Sequence, residues 1–168
     1  MILMPTTIEN YMNIKERALE LGCNIPSGLS FLPRNFDSAK LKSELIYEST
    51  VSDIRILFRD AEIAETKLEK QGDKFSYRQD KHFDWIGPTI FIGASILSQN
   101  PDIISITERI ISNYLTYLFK GSFYSKNIKL SYVVEKTNNK EIKRFSYEGD
   151  VTGLHNLPQI IHEALKNE

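Results

Sequence analysis

The densest apolar stretch of the chain covers residues 85–119 and leaves little room for a polar face. Pro88 and Pro101 each lie where a helix could begin, since proline is tolerated in the first helical turn. The pattern predicts two consecutive apolar helices, the second running from Pro101 to Lys120 and ended by Gly121. We expect this pair to form the buried centre of the fold.

Helical periodicity predicts two more helices in the first half of the chain. Apolar residues at helical intervals favour a helix over residues 7–21, with Gly22 as its left-handed terminator. Residues 51–64 have apolar positions three and four apart, although part of this segment also alternates as a strand does. The helix is preferred for residues 51–64, and the strand stays open as the alternative.

Turn residues between alternating segments predict β-hairpins. Residues 127–147 contain two strand-like arms joined by Thr137-Asn138-Asn139, whose composition suits a tight turn. A second hairpin is predicted with arms at residues 64–68 and 75–78 around Gly72. Both hairpins would supply antiparallel strands to a sheet.

A short helix is predicted to close the chain over residues 154–166, with Leu157, Ile161 and Leu165 on its inward side. Together these elements predict one α+β domain over residues 1–168. It would contain a central apolar helix pair, one or two β-hairpins and the short C-terminal helix.

The composition narrows the function only slightly. With 21 basic and 22 acidic side chains, the net charge of −1 provides no overall field to attract a polyanion. Cys23 is the only cysteine, so an intramolecular disulfide and a cysteine zinc site are excluded and a cytoplasmic location is expected. No apolar run reaches the roughly 20 residues that a membrane span needs. We expect no membrane span and no cofactor.

Histidine and aspartate are the side chains that would suit an enzyme. His82 and Asp84 have the spacing of strand neighbours, and His155 and His162 lie two turns apart on one helix face if the closing helix starts early enough. They would suit a small hydrolase or nuclease, and two histidines with a carboxylate around one cavity would rank that function above an adaptor. Because no metal-ligand motif is present, we predict instead scattered surface side chains that do not converge and hold no metal.

A local excess of basic side chains surrounds the hairpin predicted for residues 127–147. Such a stripe would suit an accessory protein that binds nucleic acid. Nearby acidic residues dilute the charge, however, and lysines commonly protect exposed hairpin edges. Nucleic acid is therefore the less favoured partner. The basic residues are Lys126, Lys129, Lys140, Lys143 and Arg144.

Glu148-Gly149-Asp150 is the most distinctive loop, because a glycine between two acids lets the backbone turn sharply. Functional residues concentrate on such loops, and paired carboxylates can bind a divalent cation or share a proton. Glu148 and Asp150 are therefore candidate site residues. A solvated hairpin rim is the alternative, since acidic residues are usually exposed.

The predicted long helix is apolar on nearly every side, whereas packing on one surface requires a stripe only a little over 100° wide. Either it is a central core helix or part of it contacts another chain. Tyr114, Tyr117 and Leu118 form the row that we expect to make this contact, with a protein partner or with a second copy of the protein.

Three segments follow one another in the second half of the chain: Leu118-Phe119-Lys120-Gly121, Val133-Val134-Glu135-Lys136-Thr137 and Ser146-Tyr147-Glu148-Gly149-Asp150. Their order of apolar helix, hairpin and short helix resembles small α+β modules of bacterial conflict systems, the effector-associated, TRADD-N-like components that recruit a neighbouring effector. The resemblance covers about residues 84–168 and is one of arrangement, without a diagnostic motif. It implies a bacterial, non-catalytic adaptor in antiviral defence.

Overall fold

A computed structural model describes residues 5–79, 84–121, 127–137 and 140–166 of the protein. Helices and strands alternate irregularly along the chain, as in an α+β fold. The strands are β1 (Thr6–Asn10), β2 (Leu29–Leu32), β3 (Ile46–Glu48), β4 (Ser76–Arg78), β5 (Trp85–Ile92), β6 (Ile128–Thr137) and β7 (Lys140–Gly149). The helices are α1 (Ile14–Leu21), α2 (Thr50–Asp60), α3 (Ala94–Gln99), α4 (Ile103–Leu118), α5 (Val151–Leu154) and α6 (Leu157–Lys166).

The main sheet has five strands in the spatial order β1-β7-β6-β5-β2. β6 and β7 form the antiparallel hairpin that the sequence predicts, whereas β5 and β6 are parallel neighbours. Parallel neighbours need a long crossover connection, and α3 and α4 supply it. β1 lies at one edge beside β7, and β2 lies at the other edge beside β5.

The predicted helix at the start of residues 85–119 is only partly correct, because Trp85–Ile92 is a strand and the helix α3 begins at Ala94. An apolar run of this length suits a strand buried on both faces as well as a helix, and periodicity cannot distinguish the two. Pro88 is tolerated because the pairing of β5 with β6 shifts register between Ile86 and Thr89. The second helix is confirmed as α4, and Gly121 follows it with φ of 80°.

The predicted first helix is only partly correct. Residues 7–10 belong to β1, and α1 begins after Asn13, whose side chain accepts a hydrogen bond from the Glu16 backbone N–H. Gly22 ends α1 in the left-handed conformation, as predicted. Residues 51–64 begin as α2, so the helical interpretation is confirmed there.

The predicted hairpin of residues 64–68 and 75–78 is wrong. β4 pairs in parallel with β3 in a separate two-stranded sheet. Residues 64–68 form no strand and instead cover the outer edge of β2, where the Thr66 N–H donates to the Leu29 carbonyl at 2.7 Å. The turn chemistry around Gly72 therefore reverses the chain without pairing the segments that flank it.

The buried side chains form one continuous core. On one face of the main sheet, the Tyr132 hydroxyl and Thr107 of α4 are hydrogen-bonded at 2.7 Å. On the opposite face, Lys15 of α1 forms an ion pair with the buried Glu135 at 3.6 Å. No helix within the described residues is long and apolar enough to cross a membrane.

Candidate functional site

A cleft of about 400 Å³ lies on the face of the main sheet opposite α4. Its floor is a row of four hydroxyl side chains that the strand register aligns across neighbouring strands: Thr89, Ser131, Ser146 and Thr7. These positions alternate with buried residues such as Tyr132, so that hydroxyls face the cleft while the large side chains face the core. The cleft is thus a polar opening on a sheet whose central strands carry the buried core.

Three cationic side chains line this cleft, and two of them form ion pairs. Arg34 lies 3.8 Å from Glu48, and Lys129 lies 3.9 Å from Glu148 and 3.6 Å from Asp84. Pairs at these distances near the surface contribute about 1 kcal/mol or less each. They leave the cleft polar without giving it a strong field.

Arg144 is the third cation, and it differs from the other two. No carboxylate within the described part of the chain lies within 4 Å of its guanidinium. Its Nη2 lies 3.5 Å from Ser131 Oγ, its guanidinium carbon stands 5.6 Å from the centre of the Tyr11 ring, and its Nε is buried without an acceptor. The Tyr11 hydroxyl also interacts with Arg144, so the hydrogen-bonding capacity that no described residue uses is that of Nε.

The predicted basic stripe is divided among three places. Lys129 and Arg144 line the cleft, whereas Lys143 lies on the opposite face of the sheet in register with Val134. Lys140 is exposed at the hairpin end, and Lys126 lies outside the described residues. The described basic residues thus form no continuous surface that could follow a nucleic-acid backbone.

The loop candidates have structural partners. Asp150 caps α5, where its side chain accepts a hydrogen bond from the Gly153 N–H at 2.8 Å. Glu148 lines the cleft and accepts a hydrogen bond from Asn127 Nδ2 at 3.0 Å. The Tyr147 hydroxyl donates to the Asp150 carbonyl at 2.5 Å. Two causes raise the pKa of Tyr147 to about 12: burial is the larger one, and the nearby Asp150 charge is the smaller one.

His155 and His162 line one groove of about 570 Å³ between α4 and α6, together with Glu108. The prediction that the histidines do not converge is therefore wrong for this pair. The convergence could not be recognised from the sequence, because Glu108 belongs to a different helix and because His155 does not share a helix with His162: it follows α5, and α6 begins only at Leu157. His82 lies outside the described residues, and Asp84 pairs with Lys129 on the other side of the sheet.

The geometry of the groove centres on Glu108, which is 5% exposed. His155 Nδ1 lies 3.3 Å from Glu108 Oε2, and Ser112 Oγ donates a hydrogen bond to the same oxygen. His162 Nε2 is buried without a hydrogen-bond partner. No group of three or more histidine, cysteine, aspartate or glutamate side chains among the described residues could hold a metal ion. The groove can orient an imidazole, which is one component of acid–base chemistry.

The apolar row predicted to contact a second chain is only partly available. Tyr117 is 79% exposed and Leu118 is 46% exposed at the end of α4. Tyr114 is half-buried, and its hydroxyl lies 3.4 Å from Asp53 Oδ2 of α2. Most of the remaining apolar surface of α4 is covered by α2, α5 and α6. Two exposed side chains are far smaller than the roughly 800 Å² per partner of a stable interface.

Strand β1 has a backbone edge that is not paired with another strand among the described residues. The Pro5 carbonyl accepts a hydrogen bond from the Glu148 N–H, and the Tyr11 N–H donates to the Ile142 carbonyl, both at 2.8 Å. Odd-numbered residues of β1 therefore bond to β7, and the backbone groups of Thr6, Ile8 and Asn10 point away from the sheet. Among the described residues, β1 has no partner on that side.

Comparison of the chain with protein-family models, curated proteins and solved structures finds no match. The function therefore has to be argued from the residues described above.

Proposed function

We propose that the protein is a non-catalytic interaction module that pairs with a second copy of itself through strand β1. The observation that carries this proposal is the open edge at Thr6, Ile8 and Asn10. Natural sheets usually protect such edges with lysine, proline, a bulge or a covering segment. Between Thr6 and Asn10 the chain has no lysine and no proline, and Ile8 is 48% exposed.

The sequence of β1 suits antiparallel pairing with itself. If the two-fold axis passes through Ile8, Thr6 lies opposite the partner's Asn10, and Thr7 lies opposite the partner's Glu9. No like charges then face each other, and the outward backbone groups of all three even-numbered residues find partners. An antiparallel ladder of this length forms about six hydrogen bonds, each contributing about 1 kcal/mol net. The two main sheets would become one continuous sheet.

The resemblance of residues 84–168 to TRADD-N-like adaptors supports a role beside an effector in a bacterial defence system. A dimer would present two copies of the α4 end, where Tyr117 and Leu118 are exposed. These two side chains would form the apolar centre of a contact with a protein partner, whose remaining area would have to come from neighbouring residues. Self-pairing and partner binding would thus use different surfaces.

Sedimentation velocity at tens of micromolar tests the self-pairing. Wild-type protein should sediment as a dimer, and Ile8→Lys should sediment as a monomer because two lysines would then face each other. Ile8→Pro removes only an outward-pointing N–H and should act in the same way. Leu19→Lys, at an exposed aliphatic position on α1, is the matched control and should remain dimeric. A monomeric wild type would refute the proposal.

The convergence of His155 and His162 with Glu108 favours a second candidate function, a metal-independent hydrolase or nuclease. Glu108 would orient His155 as a general base, and His162 would act as the acid. Although the groove brings these residues together, as the enzyme hypothesis required, this function ranks second, because Ser112, whose hydroxyl donates to Glu108, is fully buried and is not presented to a substrate as a nucleophile. Cleavage of labelled RNA or bis(p-nitrophenyl) phosphate that is lost in both His155→Gln and His162→Gln, but kept in Gln159→Ala, would reverse this order.

A further inference from the structure

The polar cleft on the main sheet has the features of a ligand site that neither self-pairing nor the histidine groove uses. Most residues on the central strands of a sheet pack against a covering layer. Here Thr7, Thr89, Ser131 and Ser146 instead form the floor of a concave opening of about 400 Å³. That volume falls within the range of about 300–1,000 Å³ typical of small-molecule sites.

The hydroxyl row is set by strand pairing and not by loop conformation. Each of the four residues is the direct cross-strand neighbour of the next. Ser131 Oγ donates to Ser146 Oγ at 3.3 Å, which leaves further donor and acceptor positions on both side chains for a ligand. A site built on paired strands is also rigid, so little ordering cost would accompany binding.

Arg144 provides the charge that selects the ligand. Its planar guanidinium can hold a carboxylate or phosphate through two parallel hydrogen bonds, which a lysine cannot do. Glu9 is its cross-strand neighbour, yet the two side chains form no ion pair within 4 Å. The Tyr11 ring packs against the guanidinium and restricts its position. Arg144 is thus a held cation without a counter-ion among the described residues.

We propose that this cleft binds a small hydroxylated molecule that carries a phosphate or carboxylate group. Arg144 holds the anionic group, and Ser131 and Ser146 bind its oxygens or an adjacent hydroxyl. Glu48 and Glu148, on the walls of the cleft, accept hydrogen bonds from hydroxyl groups at the other end of the ligand. The ion pairs of Arg34 and Lys129 hold these two acids in place.

The test is a titration followed by backbone amide shifts in NMR, with four probes. Ribose 5-phosphate carries phosphate and hydroxyls, gluconate carries carboxylate and hydroxyls, inorganic phosphate carries the anion alone, and sorbitol carries hydroxyls alone. At least one hydroxylated anion should bind about tenfold more tightly than both inorganic phosphate and sorbitol. Its shifts should centre on Ser131, Arg144 and Ser146. If ribose 5-phosphate binds more tightly than gluconate, the cleft prefers phosphate; the opposite order shows a preference for carboxylate.

Three variants decide whether the binding uses the proposed residues. Arg144→Gln should weaken the preferred ligand about tenfold or more. Lys143→Gln, one residue away on the opposite face, should leave it within about twofold. Ser131→Ala with Ser146→Ala should weaken it several-fold, and this variant decides the matter if Arg144→Gln does not fold. Absence of binding by every anion, or equal binding by wild type and these variants, would overturn the proposal.

Discussion

Gly153 packs closely against the Tyr147 hydroxyl at the corner after β7, and this contact predicts how substitutions at the two positions change stability. A Cβ added at Gly153 would lie 2.5 Å from the Tyr147 hydroxyl, whereas ordinary van der Waals contacts of a Cβ are 3.4–4 Å. Overpacking of this kind costs about 1–3 kcal/mol. Alanine also has a helix propensity about 1 kcal/mol better than glycine, and position 153 lies in α5. We therefore expect Gly153→Ala alone to destabilise the protein by about 1 kcal/mol.

Tyr147→Phe should reverse the effect of that substitution. It removes the hydroxyl that donates to the Asp150 carbonyl, at a cost of about 1 kcal/mol. The Cβ added at position 153 then has its nearest ring atom at 3.5 Å, an ordinary contact, and its approach of 3.3 Å to Asp150 is the same in both backgrounds. Gly153→Ala should be neutral or stabilising by up to about 1 kcal/mol in this background, which gives a coupling energy of about 1–2 kcal/mol.

The wild type, Gly153→Ala, Tyr147→Phe and the double variant form a double-mutant cycle. Urea denaturation of these four proteins measures the coupling energy, provided that the m-value does not change. Gly28→Ala is the control, because its Cβ would meet only Thr66 Oγ1 at 3.6 Å. Its effect should be the same in the wild-type background and in the Tyr147→Phe background. If Gly153→Ala costs the same free energy in both backgrounds, the contact with the hydroxyl does not explain the glycine.

Three further predictions concern other parts of the structure. Tyr117→Glu with Leu118→Glu should change the free energy of unfolding by less than about 1 kcal/mol, because both side chains are exposed; a larger loss in thermal unfolding would identify them as core. Glu108→Gln should cost about 1–3 kcal/mol in urea denaturation, since it weakens the contacts with Ser112 and His155. An unchanged midpoint would contradict that geometry. Because the pKa of Tyr147 rises from 10.0 to about 12 on folding, stability present below pH 10 should fall as the pH rises towards 12. The fall should be smaller in Tyr147→Phe, as followed by the urea midpoint against pH.

The elements that the sequence predicts correctly are those defined by local signals. Gly22 ends α1 in the left-handed conformation, Gly121 follows α4, and β6 and β7 pair as the antiparallel hairpin predicted for residues 127–147, whose turn residues Asn138 and Asn139 lie outside the described part of the chain. Each of these signals acts within a few residues of the element that it ends or joins. Helix α2 was also recognisable, because its buried Val51, Ile54 and Phe58 follow helical spacing.

The failures come from pairings between distant segments. The spacing of Thr6 and Glu9 suits a helix cap, yet β7 recruits these residues into β1. Trp85–Ile92 has no periodicity because both its faces are buried, and only its neighbours β2 and β6 define it as a strand. Tertiary contacts override local propensity in both places.

The two candidate sites could be recognised from the sequence to different degrees. Ser131, Arg144 and Ser146 alternate with Tyr132 and Phe145, so the hairpin pattern could have indicated a polar face on the sheet. The histidine groove gave no such signal, because the spacing of His155 and His162 says nothing about which helix packs beside them. Glu108 was visible in the sequence only as a charge within an apolar segment.

Strand β1 has a consequence for the order in which the protein folds. Thr6 pairs with Tyr147, so β1 can complete this ladder only after the chain has been synthesised past β7. Until β7 is synthesised, β1 has no native neighbour, and the closing ladder has a large sequence separation, which slows its formation. During that interval, β1 of one nascent chain can add to β7 of another. This pairing would be a domain swap in which two chains exchange β1. It would become more frequent when two copies of the chain are synthesised close to each other in space.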